Sequence, residues 1–228
     1  MEVLTPKCRA SLNASDVAFI LAALLPGSEN PEALERLLAD DSTRDDVLDH
    51  PLLFRALLEN RGHIPISTQL YFYVVCRHVL REHGITDRDV ADYVASLMAA
   101  YVRSEQLFDR PSNQSRRAAP FYVQEMVEAI NRAAPYEKFL LTTSVANRSL
   151  FFSGLFPGHL NERTLRRGAP DLEYYDSVGA AHYRVASTHV LAQEFELVDV
   201  FEVLGHCFSE ARHALNQFSS RYASWGHN

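Results

Sequence analysis

The prolines of this chain stand at helix boundaries, and that placement constrains the fold more than any other feature of the sequence. Asn30-Pro31 offers an N-cap followed by proline at the first helical position of "PEALERLLAD", Pro51 opens "PLLFRALLEN", and Pro120 precedes "FYVQEMVEAINRAA". Pro135 stops that segment, Pro157-Gly158 ends the next, and Pro170-Asp171 opens the last region. Proline fits the first turn of a helix, where its missing N–H is not needed, and disrupts a helix further in. Between these marks the apolar residues recur at helical spacing.

The other helices follow from capping residues. Ser15 or Asp16 can cap a helix to Leu25, and Ser67 starts "TQLYFYVVCRHVLREHG", ending at Gly84. Around that helix Phe72, Val75, Cys76, Val79 and Leu80 share the apolar side, with Arg77, His78 and Arg81 opposite. Thr86 with Asp89 resembles a capping box for a helix to about Gln106, whose wet residues are Arg88, Asp92 and Arg103. A helix is expected from about Tyr136 to Phe156, a short capped one over 161–168, and a long helical region from Pro170 to about Tyr222 with a break near Gln193 to Glu196. No stretch shows convincing strand alternation, and runs such as "YFYVVC" lie inside longer helical patterns. The expected fold is all-α: about ten helices in a compact multi-helix bundle without significant sheet.

A chain of 228 residues suits one all-α domain over 1–228, with a subdivision point at the polar loop 109–120. The formal net charge is −7, which disfavours a nucleic-acid partner through phosphate neutralisation, even with Arg116-Arg117 and the basic run near 163. Cys8, Cys76 and Cys207 form no CxxC pair and no disulfide framework, a pattern that fits a reducing cytoplasm. Lys7 and Arg9 before "VAFILAALL" faintly resemble a signal peptide, but Asp16 abuts the run and no small-residue cleavage site follows, so the segment reads as a first core helix. No run reaches the roughly 20 apolar residues of a membrane span.

Four groups of residues could carry chemistry. In "GHCFSEARH", read as one helix, His206, Glu210 and His213 share a face with Glu202 and Asp199, a set of potential metal ligands pointing away from the helix's own apolar stripe. In 171–192, His182 and His189 fall within an apolar stripe with Tyr174, Tyr175, Val178, Ala181 and Val185, so His182, His189 and Tyr175 are candidates for a ligand pocket or acid–base site. Arg163, Arg166 and Arg167 could grip a phosphate or carboxylate. The aromatic "SLFFSGLFPG", 149–158, suits core packing or a subunit interface, with Gly154 permitting close approach of another helix. The acidic stretch 40–49 lacks the glycine and ligand spacing of a calcium loop and reads as a solvated surface.

Nothing in the sequence specifies a cofactor, and no motif marks a nucleophile. The first expectation is a non-catalytic helical protein that acts by binding a protein partner or a second copy of itself. The alternative is a small helical enzyme or ligand binder with the His/Tyr site in its core, metal-dependent and oxidase-like if the four reserve ligands take part.

Overall fold

The computed structural model describes residues 3–25, 31–60, 62, 65–105, 123–167 and 170–221. Among these residues there are thirteen helices and no strand. In chain order they are α1 (Ala14–Leu24), α2 (Pro31–Ala39), α3 (Asp41–Leu48), α4 (Pro51–Glu59), α5 (Thr68–Glu82), α6 (Arg88–Glu105) and α7 (Val123–Ile130). Then follow α8 (Pro135–Leu155), α9 (Pro157–Arg167), α10 (Leu172–Ser187), α11 (Val190–Glu194), α12 (Val198–His206) and α13 (Phe208–Arg221). The architecture is all-α, and none of the helices is long and apolar enough to cross a membrane.

The prolines act as the sequence requires: Pro31, Pro51, Pro135 and Pro157 each begin a helix. Pro157 also closes α8, so α9 starts at Pro157 rather than at 161. The loop 109–120 lies outside the described residues. α6 and α8 form the interior. Val90 to Ala99 are all buried, and α8 is buried on nearly every side from Phe139 to Gly154. α5 packs along α6, α10 lies against α8 and α12, and α13 bridges α5 and α8. One apolar core runs from Cys8 to Phe218, and burial pushes the Cys76 thiol well up, away from reactivity.

Several local expectations are corrected by long-range partners. The N-cap of α1 is Asn13, not Ser15 or Asp16: Asn13 accepts from the Asp16 N–H at 3.0 Å, and Asp16 reaches back to the Asn13 N–H at 3.0 Å. Asp16 is fully buried because its other oxygen accepts from Ser67 N–H at 2.7 Å. Asp87, not Thr86, caps α6, accepting from Asp89 and Val90 N–H at 2.7 and 3.0 Å.

The acidic stretch is not simply a solvated surface. It contains the helix α3, capped by Asp40 and joined to the core through charge. Asp49, which follows α3, receives the Arg77 guanidinium at 2.8 and 3.0 Å, and Arg77 also donates to the Thr86 carbonyl at 2.6 Å. Arg88 reaches Asp46 at 2.7 Å and Asp49 at 3.1 Å. Arg77 is only 6 % exposed and Asp92 only 3 %, so neither is the wet residue its helical position implied. Asp92 is buried under the N-terminal arm, residues 3–13. It accepts from Cys8 N–H at 2.7 Å and Arg9 Nε at 3.3 Å, while Arg9 also pairs with Asp45 at 2.6 Å and with Asp89. Arg103 has no described side chain.

Candidate functional site

The reserve metal ligands are split by the backbone. "GHCFSEARH" is two helices, because α12 ends at His206 and α13 begins at Phe208, with Cys207 non-helical between them. The single helical wheel that grouped His206 with Glu210 and His213 therefore does not apply. His206 donates through Nδ1 to the Glu202 carbonyl at 2.7 Å, a bond within its own helix. His213 Nε2 accepts from Arg212 at 3.1 Å, and Arg212 is anchored on Asp176 at 2.6 Å. Among the described residues no three His, Cys, Asp or Glu side chains come together as a metal site.

The tyrosine–histidine stripe of α10 is rotated by about one residue from the sequence reading, close to 100° on a helix. The buried line is Tyr175, Gly179, Tyr183 and Ala186, while Val185 is 55 % exposed. Tyr175 is buried as expected, but His182 is only half-buried and donates through Nδ1 to the Val178 carbonyl at 2.7 Å. His189 caps α11, accepting from Leu191 N–H at 3.2 Å, and stacks on Phe139 with ring centroids 5.0 Å apart. The side chain that α10 sends into the core is Tyr183. Its hydroxyl donates to Asn147 Oδ1 at 2.8 Å, and Tyr93 donates to the same oxygen at 2.9 Å. Burial raises both phenols well above their usual range, which keeps both as donors. This Tyr–Asn–Tyr group joins α6, α8 and α10 and was not anticipated. The one sequence signal was a polar Asn among the Leu, Val and Phe residues of the longest helix.

Of the basic cluster on α9, Arg166 pairs with Glu162 at 2.9 Å on the exposed face. The side chains of Arg163 and Arg167, and the pair Arg116-Arg117, lie outside the described residues.

Two grooves remain. The first, about 540 Å³, lies where α10, α11 and α12 meet and is lined by Ser187, His189, Val190, Gln193, Glu196 and Asp199 among others. The chain turns sharply at Glu196, which adopts φ 55° two residues after α11. Leu197 N–H bonds to the Ala192 carbonyl at 2.7 Å and Glu196 N–H to the Gln193 carbonyl at 3.2 Å, the two bonds of a Schellman motif. Gly84 closes α5 in the same way, with glycine at the left-handed position. Val190 in this groove is 62 % exposed, and Phe195 beside it is 36 % exposed.

The second groove, about 380 Å³, lies between the α3–α4 corner and α5. His78 stacks on Phe54 with centroids 3.6 Å apart, and this burial lowers its pKa despite Glu82 at 3.4 Å. Compared with protein-family models, curated proteins and solved structures, the chain matches none of them.

Proposed function

We propose that this protein is a helical interaction protein whose working surface is the α10–α12 groove, and that its partner presents a basic amphipathic segment. The observation that supports this reading is Val190, an aliphatic side chain 62 % exposed inside a groove of about 540 Å³. An apolar side chain in an open concavity gains by being covered. Val185 and Phe195, 55 % and 36 % exposed, flank the groove residues in the chain and extend the apolar surface. Glu194, Glu196 and Asp199 stand among them, and the whole chain carries −7. Apolar anchors flanked by Lys and Arg on a docking helix complement that pattern in both packing and charge. The unoxidised, buried thiol of Cys76 fits a reducing cytoplasm as the place of action.

The test compares chemical cross-linking of the wild-type chain, Val190→Asp and Leu165→Asp in extract of the source cells, with light scattering of each purified protein. Leu165 is 87 % exposed on α9 and serves as the control. The expected result is a basic partner lost with Val190→Asp and retained with Leu165→Asp. Partners that survive Val190→Asp overturn the reading. A wild-type dimer that Val190→Asp dissociates replaces the basic partner with a second copy.

A further inference from the structure

The groove between the α3–α4 corner and α5 differs from the first in its hydrogen-bonding inventory. Its carboxylates are already engaged. Both oxygens of Asp49 receive guanidinium N–H groups, at 2.8 Å from Arg77 and 3.1 Å from Arg88. Glu82 meets His78 through one oxygen and the Gln217 amide through the other. His50 Nδ1 accepts the Leu52 N–H at 3.2 Å as the cap of α4, which leaves Nε2 as the protonated nitrogen of the neutral ring. The donors are unspent. Arg81 is exposed on the groove and makes no ion pair or hydrogen bond among the described residues, and the Nε2–H of His50 has no protein acceptor there. The remaining lining is apolar: Leu48, Pro51, Phe54 and Val74.

We infer that this groove binds a small organic anion, its oxyanion head held by Arg81 and His50 and its apolar body laid along Pro51 and Phe54. Unspent donors select an acceptor, and a guanidinium makes charge-assisted bonds to phosphate or carboxylate. The volume of about 380 Å³ lies within the range of small-molecule sites. The locked Asp49–Arg77 pair compensates the charge of the floor, and Glu82 is bonded to His78 and to the Gln217 amide. This site is separate from the α10–α12 groove, and its test is independent of any protein partner.

The experiment is calorimetric titration of the full chain with phenyl phosphate, benzoate and benzyl alcohol, with the ring signals of His50 and His78 followed by NMR. One or both anions are expected to saturate the protein and move both histidine signals, and the two probes distinguish a phosphate from a carboxylate head. Benzyl alcohol should bind at least about tenfold more weakly, because it lacks a charge-assisted bond worth that factor or more. Arg81→Gln should weaken the anion about tenfold to a hundredfold, while the exposed control Arg55→Gln on α4 leaves it unchanged. Both are surface positions, so circular dichroism should report an unaltered fold. Equal binding of benzyl alcohol, unchanged affinity in Arg81→Gln, or no binding of either anion overturns the inference.

Discussion

The two ends of this bundle are joined to its interior by different physics. At the N-terminal junction three arginines, Arg9, Arg77 and Arg88, fasten the arm and α3 onto α5 and α6 through five aspartates. At the C-terminal junction the helices meet through missing side chains. A Cβ on Gly179 would run into the Phe208 ring, one on Gly154 would lie 2.7 Å from Leu215 Cβ, and one on Gly205 would lie 2.7 Å from Arg184 Cγ. The first junction is specified by charge and tolerates little loss of a partner. The second is specified by volume and tolerates little gain of one. Burial alone does not reveal which rule a contact obeys.

The sharpest break of the first junction is Asp49→Ala. It leaves Arg77, whose side chain is 8 % exposed, without its carboxylate, and should cost about 4 kcal/mol in chemical unfolding. The matching probe of the second junction is Gly179→Ala, where overpacking against Phe208 should cost about 3 kcal/mol by the same measurement. Asn147→Ala orphans two buried hydroxyls at once and should cost about 2 kcal/mol, without the salt dependence that Asp49→Ala removes.

Acid separates the junctions further. Burial pushes the Asp49 carboxyl up, but the hydrogen bonds and charges of Arg77 and Arg88 outweigh it and hold it below the usual carboxylate range. A carboxyl depressed in the folded state stabilises the fold above its ordinary pKa and loses that contribution as pH falls through the folded value. Amide exchange in α3 should therefore accelerate at pH below the ordinary carboxylate range, before exchange in α8 does. Protection lost in both at the same pH would erase the distinction. The smallest effect runs the other way. Glu196→Gly relieves a left-handed backbone that glycine adopts freely and should raise stability by about 1 kcal/mol, read as a higher melting temperature.

The helices were legible because their signals are local: Pro31, Pro51 and Pro135 mark starts, and Gly84 marks a stop, whatever surrounds them. Segment 41–48 gave no such signal, since only Val47 and Leu48 are apolar in it and its stabilising partners Arg9, Arg77 and Arg88 are distant in sequence. The face of α10 was misread for a related reason. Val185 and His182 look like core by periodicity, yet Gly179 is the residue the core needs, because Phe208 occupies the space its side chain would fill. The candidate ligands around Cys207 were grouped by a helical wheel that assumes an unbroken helix, and the break has no proline or glycine at it to announce itself.

The N-terminal arm carries a consequence for the order of events in synthesis. Lys7, Cys8 and Arg9 leave the ribosome well before the groups that hold them, Asp89, Asp92 and Ser96, which emerge eighty or more residues later. Until α6 is made, the main-chain N–H groups of Lys7, Cys8 and Arg9 lack the acceptors they have in the fold, and the guanidinium has only Asp45. Long-range closure of this kind is slow relative to helix formation. The arm is thus translated long before it can be seated, and for that interval the thiol of Cys8, 2 % exposed in the folded chain, is open to whatever the surrounding medium contains.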